Sequence, residues 1–400
     1  MYMIPEIRRQ FNDNFTPAKY QAFLDELHGV HPGAIEFRVA ETPVFVSRSF
    51  QSKMLDACEH IVDVITDPSF RKMTDAAIPE NLRVPDENNH SHFIAFDFGI
   101  CLDQDGQYEP QLIEMQGFPS LFAYEVLVDD IYRRHFSIPD NFTAYLGGHD
   151  RASYIRELKQ IITGDGNPEG VVLLEIFPHQ QKTKIDFYAT KDYTGIDVVC
   201  ITELIREGRE LFYMKDGVKT RIRRIYNRVI FDDLFQQTPE VQEKGKIFFE
   251  ELDVQWVPHP CWFYRISKYT LPLLRHPYVP QTFFLDQVKQ LPPDLENYVL
   301  KPLFSFAGQG VIIDVTAADI EGVKDPQNWI LQRKVKYADA IVTPNDPAKA
   351  EIRIFYFWKD GASRPMPANN LARLSKGKMI GVRYNKDKDW VGGSYCLFES

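Results

Sequence analysis

Apolar positions at the start of the chain recur three and four residues apart. Thr16-Pro17 reads as an N-cap followed by proline at the first helical position, Tyr20, Phe23, Leu24 and Leu27 share one face, and Gly29 stops the run. Met54, Leu55, Cys58, Ile61, Val62 and Ile65 predict a second amphipathic helix ending near Pro68. The period then changes. Two short apolar runs, Phe93 to Ile100 and Gln111 to Met115, flank Asp103-Gln-Asp-Gly106 and predict a hairpin.

From about Asp150 helix and strand alternate: a helix over Ala152 to Ile162, a buried strand over Gly170 to Phe177, a helix over Gln180 to Thr190 and a strand over Ile196 to Ile201. Such alternation predicts a small open α/β sheet. Phe212 to Asp216 and Val218 to Val229, joined at Gly217, read as a hairpin feeding a strand at Ile222 to Tyr226. Beyond Pro260 strands are expected at Tyr298–Leu303, Gly310–Val315, Trp329–Val335, Glu351–Trp358 and Met379–Tyr384, an α+β pattern with an antiparallel sheet.

Composition narrows the function classes. The 400 residues carry 46 Lys plus Arg against 56 Asp plus Glu, a net charge of −10, which disfavours a sequence-independent nucleic-acid binder. Five scattered cysteines form no C-x-x-C pair, so neither a disulfide framework nor a thiolate zinc site is expected. No stretch approaches the ~18 apolar residues of a membrane span, and the N-terminus lacks the core of a signal peptide. The expectation is a soluble cytoplasmic protein with no membrane or nucleic-acid partner.

The candidate chemistry lies in two distant places. In the last third, Lys301 ends a strand and is followed by Ser305-Phe-Ala-Gly308-Gln309-Gly310, where freed backbone N–H groups could cradle phosphate beside the lysine; a plain glycine hairpin has the same spacing. Lys268, Arg353 among apolar neighbours, and Arg373 beside Asn369 and Asn370 add cations that would suit a nucleotide triphosphate, or remain scattered surface charges. Far upstream, Asp97 sits between aromatics, and Glu114 and Gln116 lie two residues apart on one strand face. Such oxygens fit Mg²⁺, although a solvated strand face gives the same pattern. His90 and His92 lack a third ligand and read as loop, and His259 and Cys261 show no local sign of a nucleophile–base pair.

The tract from Phe96-Asp97-Phe98 through Glu114-Met-Gln116 to Leu121 resembles the metal-binding segment of glutathionylspermidine synthase and its relatives. The Lys301-Pro302 tract resembles that family's lysine strand and glycine loop. Ile225 to Val229, Leu331-Gln332, Glu351 to Phe355 and Asn370 to Arg373 look like successive landmarks of the circularly permuted ATP-grasp proteins, over about residues 90 to 385. Two positions depart from the family: Ala95 stands where an arginine is usual, and Gln116 replaces an asparagine.

The resemblance implies a circularly permuted ATP-grasp fold in three parts. Residues 1–150 would hold N-terminal helices and the metal-ligand hairpin, 151–260 a small α/β pre-ATP-grasp-like domain, and 261–400 the nucleotide-binding sheets. It implies an ATP-dependent carboxylate-amine ligase that joins a peptide-like acid to an amine through an acyl phosphate. Lys268, Lys301 and the loop of Ser305, Gly308, Gln309 and Gly310 would hold the ATP phosphates, and Gln332 would lie near adenine. Asp97, Glu114 and Gln116 would ligate Mg²⁺, with Arg353 and Arg373 catalytic. Ala95 and Gln116 favour the alternative, a catalytically silent ATP-grasp domain that binds nucleotide or peptide.

Overall fold

The computed structural model describes residues 4–304, 310–377, 380, 385 and 387–400. Its centre is a five-stranded antiparallel sheet assembled from both ends of the chain. In spatial order the strands are Gly392–Ser394, Met366–Ser375, Lys349–Phe357, Phe93–Leu102 and Tyr108–Gln116. We call the middle three the amide strand, the arginine strand and the aspartate strand, and the edge strand Tyr108–Gln116 the glutamate strand. The hairpin joining the last two turns where Asp103 accepts from the backbone of Asp105 and Gln107.

Alternation along the pleat divides these residues between two faces. Phe96, Phe98, Ile352, Ile354 and Tyr356 pack against Met54, Cys58, Ile61 and Val62 of the helix Arg48–Thr66, whose N-terminus is capped by Ser47. On the opposite face Phe93, Ala95, Phe355 and Phe357 pack with Tyr154 and Leu158 of the helix Arg151–Thr163. Asp97, Arg353 and Glu351 fall in the same alternating series as this second set. Their charges therefore begin where its apolar packing ends.

A four-stranded parallel sheet follows, in the order Gln255–Val257, Arg224–Asn227, Val171–Glu175, Asp197–Cys200. The antiparallel meander of Ile205–Glu207, Glu210–Lys215 and Val218–Ile222 lies between its strands in sequence. A three-stranded antiparallel sheet pairs Thr282–Phe284 and Tyr298–Pro302, the lysine strand, with Trp329–Arg333 between them. Near the chain ends, Val44–Val46 runs parallel to Cys396–Glu399.

Most expected elements are present, with two differences. The helix placed at Gln180–Thr190 runs Lys184–Thr194, because Gln181 is extended and Gly195 supplies the left-handed stop. Gly310–Val315 makes one bridge, Leu300 to Ile312, and no strand; Gly310 is left-handed at φ +74° and Thr316 already caps the next helix. Residues 379–384, apart from Ile380, lie outside the described residues.

The turn after the glutamate strand is held from several sides. The Asp186 carboxylate accepts from the backbone N–H groups of Leu121, Ala123 and Tyr124, and the Arg228 guanidinium donates to the Pro119 carbonyl. Gly117 donates to the Ile266 carbonyl at 2.8 Å, which ties the strand to the segment leading into Lys268. A Cβ at Gly117 would lie 2.4 Å from the Trp262 carbonyl oxygen and 2.8 Å from Ile266 Cβ. Gly117→Ala should therefore destabilise by about 1–3 kcal/mol through overpacking; an unchanged thermal midpoint would show that the two segments part easily.

Candidate functional site

Asp97, Glu114, Glu351, Arg353 and Arg373 meet on one face of the central sheet, although the first two precede the others by more than two hundred residues. Asp97 is paired in register with Glu114 on one side and Arg353 on the other, and Glu351 with Arg373. A bulge between Asp97 and Phe98 takes up the odd residue Ile113 and keeps Glu114 opposite Asp97.

Arg353 grips Asp97 with both arms. Its Nε donates to Oδ1 and its Nη2 to Oδ2, each at 2.6 Å, and Nη2 also stands 4.0 Å from Glu114 Oε1. Arg373 Nη2 lies 3.6 Å from Asp97 Oδ2 and pairs with Glu351. The other Glu351 oxygen accepts from the Tyr337 hydroxyl at 2.8 Å. The Asp97 side chain is fully buried, and burial raises its pKa against the pull of Arg353. Glu114 is held below the usual carboxylate range: burial opposes this, but Lys268, Arg353, Arg373 and Lys301 outweigh it.

The lysines arrive from other elements. Lys301, on the lysine strand, donates to Gln332 Oε1 at 2.6 Å and stands 3.4 Å from the Ile113 carbonyl, so the three-stranded sheet meets the glutamate strand here. Burial lowers its pKa to about 8, with Glu114 opposing. Lys268 opens the 3-10 helix Lys268–Leu273; burial lowers its pKa too, again against Glu114. Gln332 is buried, with no partner for its Nε2 among the described residues. Gly310 is described; Ser305, Gly308 and Gln309 lie outside the described residues.

The structure thus gathers Lys268, Lys301, Gln332, Arg353 and Arg373 around Asp97, Glu114 and Gln116. Glu351 was missed as a site residue, yet the signal that picked out Glu114 with Gln116 applies to it: it lies two residues before Arg353, hence on the same face. Tyr337 carries no comparable signal.

As arranged, the donor set does not fit Mg²⁺. Both Asp97 oxygens are taken by Arg353, and Gln116 turns its Nε2 toward Glu114 Oε1 at 3.0 Å, presenting a donor where a metal needs an oxygen. No group of three or more His, Cys, Asp or Glu among the described residues could hold a metal ion. The three residues expected to ligate Mg²⁺ thus lie side by side on one sheet face, with Asp97 held by Arg353 and Glu114 bonded to Gln116. Among the described residues, Lys268, Lys301, Arg353 and Arg373 gather around Asp97, Glu114 and Glu351, with the buried Glu125 also within the field of Arg353.

The histidine loop and the cysteine segment lie elsewhere. His90 stacks on Trp358 at 4.3 Å in the wall of a cavity of about 550 Å³ that also touches Phe70 and Trp262. His92 pairs with Asp360 at 2.9 Å. Cys261 is buried, which pushes its thiol up to about 11.

No family model matches the sequence. No curated protein matches it. Among solved structures, a glutathione synthetase-like effector from Globodera pallida, solved in its apo form, aligns over 100% of both chains with a TM-score of 0.60 and 12% sequence identity. The chain shares the mixed α/β fold of that glutathione synthetase-like protein. Among the described residues no helix is long and apolar enough to cross a membrane.

Removing one partner of a buried ion pair leaves the other uncompensated, typically costing about 3–5 kcal/mol. Arg353→Gln should lose stability on that scale, and Asp97→Asn combined with it should lose at least about 1 kcal/mol less than the sum of the two single variants. Strict additivity in denaturant unfolding would show that the pair is not coupled.

Proposed function

We propose that this protein is an ATP-grasp-like nucleotide-binding protein whose charged junction between the central and three-stranded sheets receives the phosphates. The observation that carries the reading is the convergence of Lys268, Lys301, Arg353 and Arg373 from separate elements on the one carboxylate of Glu114. Burying four cations together is unfavourable unless anions compensate. Among the described residues Asp97, Glu114 and Glu351 supply part of that compensation, and a phosphate chain would add to it. The site is open on one side, since the side chains of Arg373 and Glu114 are 41% and 33% exposed. In this reading Lys268, Lys301 and the segment of Ser305, Gly308, Gln309 and Gly310 hold phosphate oxygens, and the buried Gln332 offers to the base an Nε2 that has no partner among the described residues. The circularly permuted order belongs to the same proposal. Its support is a hairpin near residue 100 that shares a sheet with strands from the last third of the chain.

The carboxylate-amine ligase is the second reading. The Globodera pallida protein is described as glutathione synthetase-like, and this chain shares its fold. Glu114 retains an ionised carboxylate beside the phosphate-binding cations. Acyl-phosphate chemistry would need phosphoryl transfer to an acid, with Arg353 and Arg373 as the groups placed to neutralise it. ADP release that depends on both an acid and an amine would establish it; nucleotide binding without turnover over pooled amino acids, dipeptides and polyamines would leave the silent binding domain.

Calorimetry tests the nucleotide reading through Lys301. Lys301→Met should weaken ATP binding by about 10- to 100-fold, the scale of one charge-assisted contact, while the far-ultraviolet spectrum stays unchanged. Unchanged affinity would make the lysine a bystander.

The pH dependence has a defined sign. Lys301 is charged below about 8 and neutral above it, and an anion binds the charged form. Affinity should therefore fall as pH rises past about 8, by at most about tenfold per unit for one group. Lys301→Arg should flatten that slope, because arginine stays protonated; a slope that survives the replacement would assign it to another group.

A further inference from the structure

The misfit between the carboxylates and a divalent ion has a specific form. The Arg353 guanidinium lies where a bridging metal would lie, 2.6 Å from both oxygens of Asp97 and 4.0 Å from Glu114 Oε1. Mg²⁺ would sit about 2.1 Å from those same oxygens, against the N–H groups of a cation that does not give up its proton. A second guanidinium, Arg373, stands 3.6 Å from Asp97 Oδ2 and repels a metal from the other side. Gln116 reinforces this arrangement, since its amide nitrogen already satisfies Glu114 Oε1 at 3.0 Å.

The same arrangement suits an anion. Arginine is a permanent charge with a planar fork that matches phosphate as well as carboxylate. Arg373 keeps an Nε–H that is buried and without a partner among the described residues. Lys301 and Lys268 face Glu114 from two further elements.

We propose that this site takes a phosphate chain without a divalent ion, Arg353 standing in for the metal between Asp97 and Glu114 while Arg373, Lys268 and Lys301 supply the remaining positive charge. The proposal rests on the phosphate-binding reading above and goes beyond it in dispensing with Mg²⁺. Removing the Arg353 charge should free both Asp97 oxygens and leave Arg373 as the remaining guanidinium beside Asp97 and Glu114, so that a metal between the two carboxylates becomes favourable.

The test is calorimetry of the full chain with ATP and, separately, with inorganic tripolyphosphate, each in EDTA and in excess Mg²⁺. For the wild-type protein the dissociation constants with and without Mg²⁺ should agree within about threefold. Arg353→Gln should bind weakly in EDTA and recover by about tenfold or more on adding Mg²⁺, and its thermal midpoint should rise with Mg²⁺ alone, whereas the wild type's should not. Arg353→Lys, which keeps the charge, should remain independent of metal. Binding by the wild type that requires Mg²⁺ would overturn the proposal and leave the nucleotide reading intact. Tripolyphosphate binding in EDTA without ATP binding would overturn the nucleotide reading and leave the metal-free site standing. Absence of binding by either ligand under both conditions would overturn both. If Arg353→Gln does not fold, the wild-type and Arg353→Lys measurements decide.

Discussion

The pair of Asp97 and Arg353 is the constraint on which the site depends. A fully buried carboxylate in the middle of a sheet is tolerated only with a partner that satisfies both its oxygens, and the adjacent strand supplies one in register. That pairing joins a strand from the first quarter of the chain to one from the last. It also sets the sheet register, because a slip of one residue would turn Arg353 to the opposite face and leave Asp97 alone among aromatics.

The other charges are arranged around that pair. Arg373 sits one strand further on, held by Glu351, and Glu114 one strand back, across a bulge that restores it to the shared face. The two lysines come from outside the sheet, and burial lowers the pKa of each. Glu114 opposes that lowering, and a bound anion would oppose it further. The apolar packing of Phe93, Ala95, Phe355 and Phe357 ends where this charged region begins, so one strand pair contributes both core and site.

A shared fold with a glutathione synthetase-like effector at 12% identity says how the backbone is arranged and leaves the chemistry to the side chains. Here the Asp97 carboxylate meets a guanidinium with both oxygens. Ala95, one of the two positions at which the sequence departs from the pattern it resembles, is buried in the apolar cluster with Phe122. The positive charge in the described part of the site comes from Arg353 and Arg373 on neighbouring strands, beside the two lysines.

Local pattern was enough to determine most of the elements. The helices at Pro17–Val30 and Arg48–Thr66, the hairpin at residue 103, the alternating middle of the chain and the polar residues to watch are all carried by periodicity, capping residues and turn chemistry, which act over a few positions. Glu351 was legible in principle through the same two-residue period. What the sequence could not decide is which charges touch. Asp97 and Arg353 are 256 positions apart, and whether a carboxylate meets a metal or a guanidinium is settled by strand order and register. Those arise from the packing of whole faces against one another, a long-range balance of burial and desolvation with no local signature. The tertiary structure alone made Asp97 the partner of an arginine.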